Sequence, residues 1–80
     1  MRKSSVLQYS LAKAGPVELA IYSVDGRKVR TLAHGIQEVG RYRLTWDGAD
    51  DRGEVMKSGV FFARLETAGL QKTRLIALVR

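Results

Sequence analysis

Apolar and polar residues alternate along most of this chain. In VLQYSLA, the residues Leu7, Tyr9 and Leu11 fall on one side, and VELAIYSV and RYRLTW repeat the same period of two. Side chains of a β-strand point to opposite faces in turn, whereas an amphipathic helix needs apolar residues three and four apart. The alternation predicts strands at about 6–12, 17–23, 27–32, 41–46, 60–66 and 71–79, with 54–57 as a candidate seventh.

Turn-forming residues separate the predicted strands. AKAGP spans 12–16, and Asp25–Gly26 predicts a tight hairpin because both turn positions favour positive φ. AHGIQEVG at 33–40 is interpreted as a longer connection, and the alanine and glycine at 68–69 as a final hairpin. Short turns without intervening helices favour antiparallel pairing. We therefore predict one domain over residues 1–80, an all-β antiparallel immunoglobulin- or fibronectin-III-like β-sandwich of six to seven strands.

The last two predicted strands differ in how they alternate. In the fifth, Phe61, Ala63 and Leu65 are assigned to the core, which leaves Phe62 as a partly exposed aromatic. The final strand, TRLIALVR, is apolar on both faces in its middle. Such a run is predicted to be central in the sandwich or covered by something outside it.

Composition narrows the classes of chemistry. The 80 residues include no cysteine, which removes disulfides, thiolate metal sites and cysteine nucleophiles. The net charge of +6 favours acidic partners, although scattered charges also suit a solvated surface. Arg27, Lys28, Arg30, Arg41 and Arg43 could line one outer face for nucleic acid or another polyanion. Nucleic acid is disfavoured, because base-stacking aromatics are not interleaved with these residues apart from Tyr22. Neither an export signal nor a membrane span is apparent, since polar residues interrupt the apolar run near the N-terminus.

The acidic stretch LTWDGADDRGEVMKSG is the main candidate for chemistry. A helical-hand calcium loop is absent because Ala49 stands at its third ligand position, although an irregular calcium site stays open. The lone histidine, His34, falls in another connection, so neither an enzyme nor a cofactor is predicted. Aspartates that accept backbone N–H groups, beside glycines of positive φ, predict a structural loop instead. The residues assigned to it are Trp46, Asp47, Gly48, Asp50, Asp51, Gly53 and Gly59.

The ordered motifs of the middle of the chain resemble a known family. IYSVDGRKVRTLAHGIQEVGRYRLTWDGADDRGEVMKSGVFFARLE is similar to the immunoglobulin-like domain first known from the flagellar hook-capping protein FlgD. The same pattern is similar to the type A sorting domain of the type nine secretion system. This sequence departs from the pattern at Phe61, where tyrosine is usual, and at Ala63, where an aromatic is common.

The resemblance implies a non-catalytic module of a bacterial protein that is secreted or at the cell surface. The leading interpretation is a C-terminal sorting or anchoring module. The alternative is a structural protein-interaction or assembly domain of the hook-capping type, with an open sheet edge or Phe62 as its contact and self-association through an edge strand. The residues assigned to sorting or interaction are Lys72, Arg74, Leu75, Leu78, Val79 and Arg80.

Overall fold

The computed structural model describes residues 5–78, and within that range the chain forms six β-strands and no helix. The strands are β1 (Ser5–Leu11), β2 (Gly15–Ser23), β3 (Lys28–Gln37), β4 (Gly40–Trp46), β5 (Gly59–Thr67) and β6 (Leu70–Leu78). Val79 and Arg80, which the sequence assigned to sorting or interaction, lie outside the described residues.

The six strands form two antiparallel sheets. β1 pairs with β4 in one, and the other has the order β3-β2-β5-β6. The chain passes between the sheets after β1, β3 and β4. The predicted all-β antiparallel sandwich is therefore confirmed.

Alternation of side chains builds the core. Burial alternates through all seven residues of β1, with Leu7, Tyr9 and Leu11 inside. On β5, Phe61 and Ala63 are buried and Leu65 packs partly buried against the same cluster. We call the side of the four-stranded sheet that meets this cluster its core face and the opposite side its outer face.

Trp46 ends β4 inside the core. Its side chain is completely buried and meets the Phe61 ring edge-on, with centroids 5.1 Å apart. The indole Nε1 donates a hydrogen bond of 2.8 Å to the carbonyl oxygen of Ala49. Trp46 thus joins the two-stranded sheet, β5 of the other sheet and the loop between them.

β3 is longer than predicted. The segment interpreted as a connection at 33–40 is strand as far as Gln37, and His34 lies on this strand rather than in a loop. Pairing with β2 holds the extension, from Leu19 opposite Ala33 to Gly15 opposite Gln37, beyond a register shift at Leu19/Ala20. The strand here depends on a partner strand, which local alternation does not reveal.

Two smaller predictions were wrong. Residues 54–57 form no seventh strand, because Val55 makes only an isolated bridge with Ala49. At the β2–β3 turn only Gly26 has positive φ, at 89°, so the turn is not the predicted two-residue type. The Gly26 N–H donates to the carbonyl oxygen of Ser23, and the Ser23 N–H donates to that of Arg27, so three residues, 24–26, connect the bonded ends.

β6 is an edge strand, which excludes the central position offered for it in the sequence analysis. It pairs with β5 alone among the described strands. Leu75 on its outer face is 62% exposed. The alternative, that something outside the sandwich covers this strand, remains a prediction.

Replacing Trp46 tests the central packing. We expect Trp46→Phe to lower the free energy of unfolding by about 1–3 kcal/mol, because it leaves a cavity and removes the donor to Ala49. Trp46→Ala should cost about 3–5 kcal/mol, a large part of the stability of a domain this size. Urea denaturation measures both. Ile36→Val, on a strongly exposed side chain, is the control and should stay within about 0.5 kcal/mol; an equally small effect of Trp46→Phe would contradict this account.

Candidate interaction surface

The acidic loop, residues 47–58, is organised by its aspartates. Asp47 Oδ1 accepts the N–H of Ala49 at 3.0 Å. Asp50 Oδ1 accepts the N–H groups of both Arg52 and Glu54 at 2.9 Å. These bonds close two turns, in which Gly48 and Gly53 have φ of 85° and 86°. L-residues with side chains rarely adopt this conformation, so glycine is required at both places.

The acidic loop also covers the free edge of β3. The Asp51 N–H donates to the carbonyl oxygen of Val29, and Asp51 Oδ1 accepts the N–H of Thr31, both at 3.0 Å. The Arg30 guanidinium lies 3.5 Å from Asp47 Oδ1 and donates to the Asp50 carbonyl oxygen at 3.4 Å. The acidic loop and the free edge of β3 therefore supply hydrogen-bond partners for each other.

Residues 5–78 contain no group of three or more His, Cys, Asp or Glu side chains placed to hold a metal ion. His34, on β3, is exposed and lies across from Glu18 on β2. Gly59 begins β5 with ordinary φ, and a Cβ there would meet only Phe61 at 4.0 Å. Its backbone thus needs no glycine.

The outer face of the four-stranded sheet carries a row of apolar side chains. Tyr22, Phe62 and Leu75 lie side by side on β2, β5 and β6. Val60 lies diagonally from Leu75 and is 43% exposed. We call Val60, Phe62, Leu75 and Ala77 the outer-face patch.

The apolar surface continues beyond the outer-face patch to one end of the sandwich. Val24, in the β2–β3 turn, and Val55, in the acidic loop, are both largely exposed. Together with Val60 they line a shallow depression. The sequence pattern does not reveal Val24 and Val55, because apolar residues within turns and loops carry no periodic signal.

Charged side chains occupy the other half of the outer face. Lys28 Nζ lies 2.6 Å from Glu18 Oε2, and this hydrogen bond holds the pKa of the Glu18 carboxyl below its usual value. The Arg64 guanidinium lies over the Tyr22 ring, 5.9 Å from its centroid, and 3.5 Å from Glu66. The outer-face patch is therefore bordered by paired charges.

The residues that sequence assigned to interaction divide among three environments. Leu75 lies in the outer-face patch, whereas Leu78 is 1% exposed and belongs to the core. Lys72 and Arg74 lie opposite Leu65 and Ala63, which places them on the core face at the open edge of β6. Of the described residues in this set, Leu75, Lys72 and Arg74 are exposed and available for contact.

The basic residues proposed as one outer face are also separated. Arg41 and Arg43 lie exposed on β4 of the two-stranded sheet. Lys28 and Arg30 lie on β3 of the other sheet, where both are already paired with carboxylates. These four residues therefore do not form the single basic face that the sequence offered as one hypothesis.

The bonds of Asp51 predict a measurable share of stability. Asp51→Ala should lower the free energy of unfolding by about 0.5–1.5 kcal/mol, because the Thr31 N–H loses its acceptor. Asp51→Asn keeps a carbonyl oxygen and should recover most of that loss. Arg52→Ala, next in the exposed loop, should stay within about 0.5 kcal/mol. If calcium stabilised the wild type but not Asp51→Asn, the loop would be a cation site and the structural interpretation would fail.

The Glu18–Lys28 pair predicts a dependence of stability on pH. The pKa of Glu18 is lowered in the folded state, so the contribution of the pair is present above the unfolded pKa. It is lost as the pH falls through the folded pKa. Stability of the wild type should therefore fall more steeply on acidification than that of Glu18→Gln, as chemical denaturation across the acid range will show. Parallel curves would contradict this.

Comparison with known proteins places this architecture in a family. The family model described as the FlgD Ig-like domain matches residues 3–69. A crystal structure of FlgD from P. aeruginosa is similar, with a TM-score of 0.69 and 24% identity, and the match covers 92% of this chain and 58% of that one. This chain thus corresponds to little more than half of that FlgD chain. No curated protein sequence matches significantly. The family match, over most of the chain, shows that the chain belongs to the FlgD Ig-like domain family.

Proposed function

We propose that this domain is a non-catalytic protein-interaction module of the hook-capping type, which serves assembly and contacts its partner through the outer-face patch. The observation that carries the proposal is the uncovered row of Phe62 and Leu75, bordered by Tyr22, on an otherwise charged sheet face. Localisation outside the cytoplasm, as secreted or cell-surface protein, is part of the proposal and rests on family resemblance.

In the outer-face patch, Leu75 and Val60 are exposed and Phe62 is half-buried, so apolar surface stays in contact with water, which is unfavourable. Contiguous apolar surface with a polar border is typical of interaction sites. An aromatic residue near the centre of such a patch is the usual source of strong binding energy. Phe62 has this position, between Tyr22 and Leu75.

The comparisons favour assembly over sorting. Both the family description and the similar structure name FlgD, and neither names a sorting domain. Of the residues assigned to sorting or interaction, Leu78 is buried in the core and offers a surface contact to neither function. Assembly is therefore the better-supported function of the domain.

A non-catalytic role agrees with how the candidate reactive groups are used. The aspartates of the acidic loop accept backbone hydrogen bonds, and His34 lies apart from that loop on exposed β3. The described residues also contain no helix long and apolar enough to cross a membrane. A protein partner remains the class of ligand that the exposed surface fits.

A site-specific photo-crosslinker tests the proposal. We expect a crosslinker at position 62 or 75, in the native bacterium, to trap one defined structural protein or another domain of the same assembly. Phe62→Lys should weaken binding of the purified domain to that protein at least tenfold, roughly the loss of one central contact. The domain should stay folded, with a loss of stability of about 1 kcal/mol, because Phe62 is half-buried on the outer face and is not part of the core.

The matched control is Arg43, exposed on the outer face of the other sheet. A crosslinker there should trap nothing in common with position 62. Crosslinks from position 62 to export machinery alone, together with loss of export when residues 72–80 are removed, would favour sorting and overturn assembly. Equal crosslinking from positions 43 and 62 would show that the outer-face patch has no special role.

A further inference from the structure

The two sheets are unequal and leave one side of the sandwich open. Immunoglobulin-type sandwiches commonly have seven strands, whereas the described residues supply four in one sheet and two in the other. A cleft of about 440 Å³ lies between β1 and β6. Leu7 and Tyr9 line it from one sheet, and Leu65, Lys72 and Arg74 from the other. We call this the edge cleft.

β1 is the unprotected edge among the four edges of the described sheets. In an antiparallel pair, every second residue points its N–H and C=O away from the partner strand. β1 pairs with β4 over seven residues without a register shift, and its sequence SVLQYSL has no charge and no proline. Natural proteins usually guard such edges, because they are templates for another strand.

The other three edges are guarded in different ways. The acidic loop hydrogen-bonds to β3 through Asp51. β4 exposes Arg41 and Arg43. On β6, Lys72 and Arg74 occupy core-face positions, and inward-pointing charge discourages the pairing of an apolar strand. The contrast singles out β1 as the edge that accepts a strand.

The positive charge of the edge cleft favours an added strand with acidic side chains. Neither Lys72 nor Arg74 has an ion-pair partner among the described residues, whose salt bridges lie elsewhere. A strand added to β1 would set alternate side chains beside Leu7 and Tyr9, facing these two cations. A second copy fits poorly, because each chain carries +6 and would bring its own cations to the same place.

We propose that the edge cleft binds an extended segment of a partner polypeptide, which adds to β1 as a seventh strand and presents apolar and acidic side chains to the core face. Backbone hydrogen bonds to β1 supply affinity, and alternate side chains supply specificity, as in other strand-addition complexes. The edge cleft is separate from the outer-face patch, so this inference stands or falls independently of the proposed function.

The test uses a short capped peptide in which threonine alternates with leucine and glutamate. We expect it to bind the full 80-residue chain, as followed by NMR. Alternate amides of β1 should become protected from hydrogen exchange, while those already bonded to β4 stay unchanged. A peptide with lysine in place of glutamate, and one with the alternation scrambled, should bind at least roughly tenfold more weakly.

Reversing the charges of Lys72 and Arg74 tests whether they set the preference for acidic side chains. The double variant Lys72→Glu with Arg74→Glu, at exposed positions, should lose affinity for the acidic peptide and gain affinity for the lysine peptide. Reversal of Arg41 and Arg43, with the same change of net charge, is the matched control and should leave both affinities nearly unchanged. Phe62→Lys should also leave peptide binding unchanged.

Four results would overturn the inference. If reversal of Arg41 and Arg43 weakened binding as much as reversal of Lys72 and Arg74, net charge alone would explain the attraction. Absence of alternate protection along β1 would exclude strand addition. Dimerisation that blocks the peptide would identify a second copy as the occupant. Failure of the peptide to bind a longer chain that contains this domain would identify a covalently linked segment.

Discussion

The burial of Trp46 is the constraint on which the rest of the structure depends. No described strand of one sheet pairs with a strand of the other, so packing of core side chains provides the main contact between the sheets. Trp46 contacts Phe61 across the core and bonds to Ala49 in the loop that leaves its own strand. That bond fixes where the chain turns, and the acidic loop then reaches β3 through Asp51. One side chain therefore sets both the sheet packing and the cover of a distant edge.

The aspartates of the acidic loop are used for structure, since their side chains accept backbone N–H groups. An aspartate side chain can accept backbone N–H groups a few residues further along the chain and so hold a tight loop in one conformation. Asp50 and Asp51 divide this task, since Asp50 closes the loop and Asp51 bonds to the neighbouring strand. A run of carboxylates in sequence resembles a metal site, but the direction of these hydrogen bonds explains it through folding.

The sequence predicted the features that depend on local pattern, which are the core positions and the turns. It did not predict the features that depend on pairing between distant segments. Alternation identified the core residues of β1 and β5, and aspartate–glycine pairs identified the turns at Gly48 and Gly53. The extension of β3 through His34 depends on pairing with β2, and the contact of Asp51 with Thr31 joins residues twenty positions apart. The exposure of Val24 and Val55 likewise follows from where the turns lie in space. None of these has a periodic signature.

The double-sided apolar pattern of β6 has a physical explanation in its edge position. Leu75 points to the outer face beside Phe62, while Ile76 and Leu78 point into the core. Toward the start of β6, the residues on the core face change from apolar to Arg74 and Lys72. These two residues face the place where the opposite sheet ends at β1. A central strand would leave those two cations buried without partners, at high cost. At an edge they stay solvated, prevent nonspecific strand pairing and leave β1 as the place where an acidic strand fits.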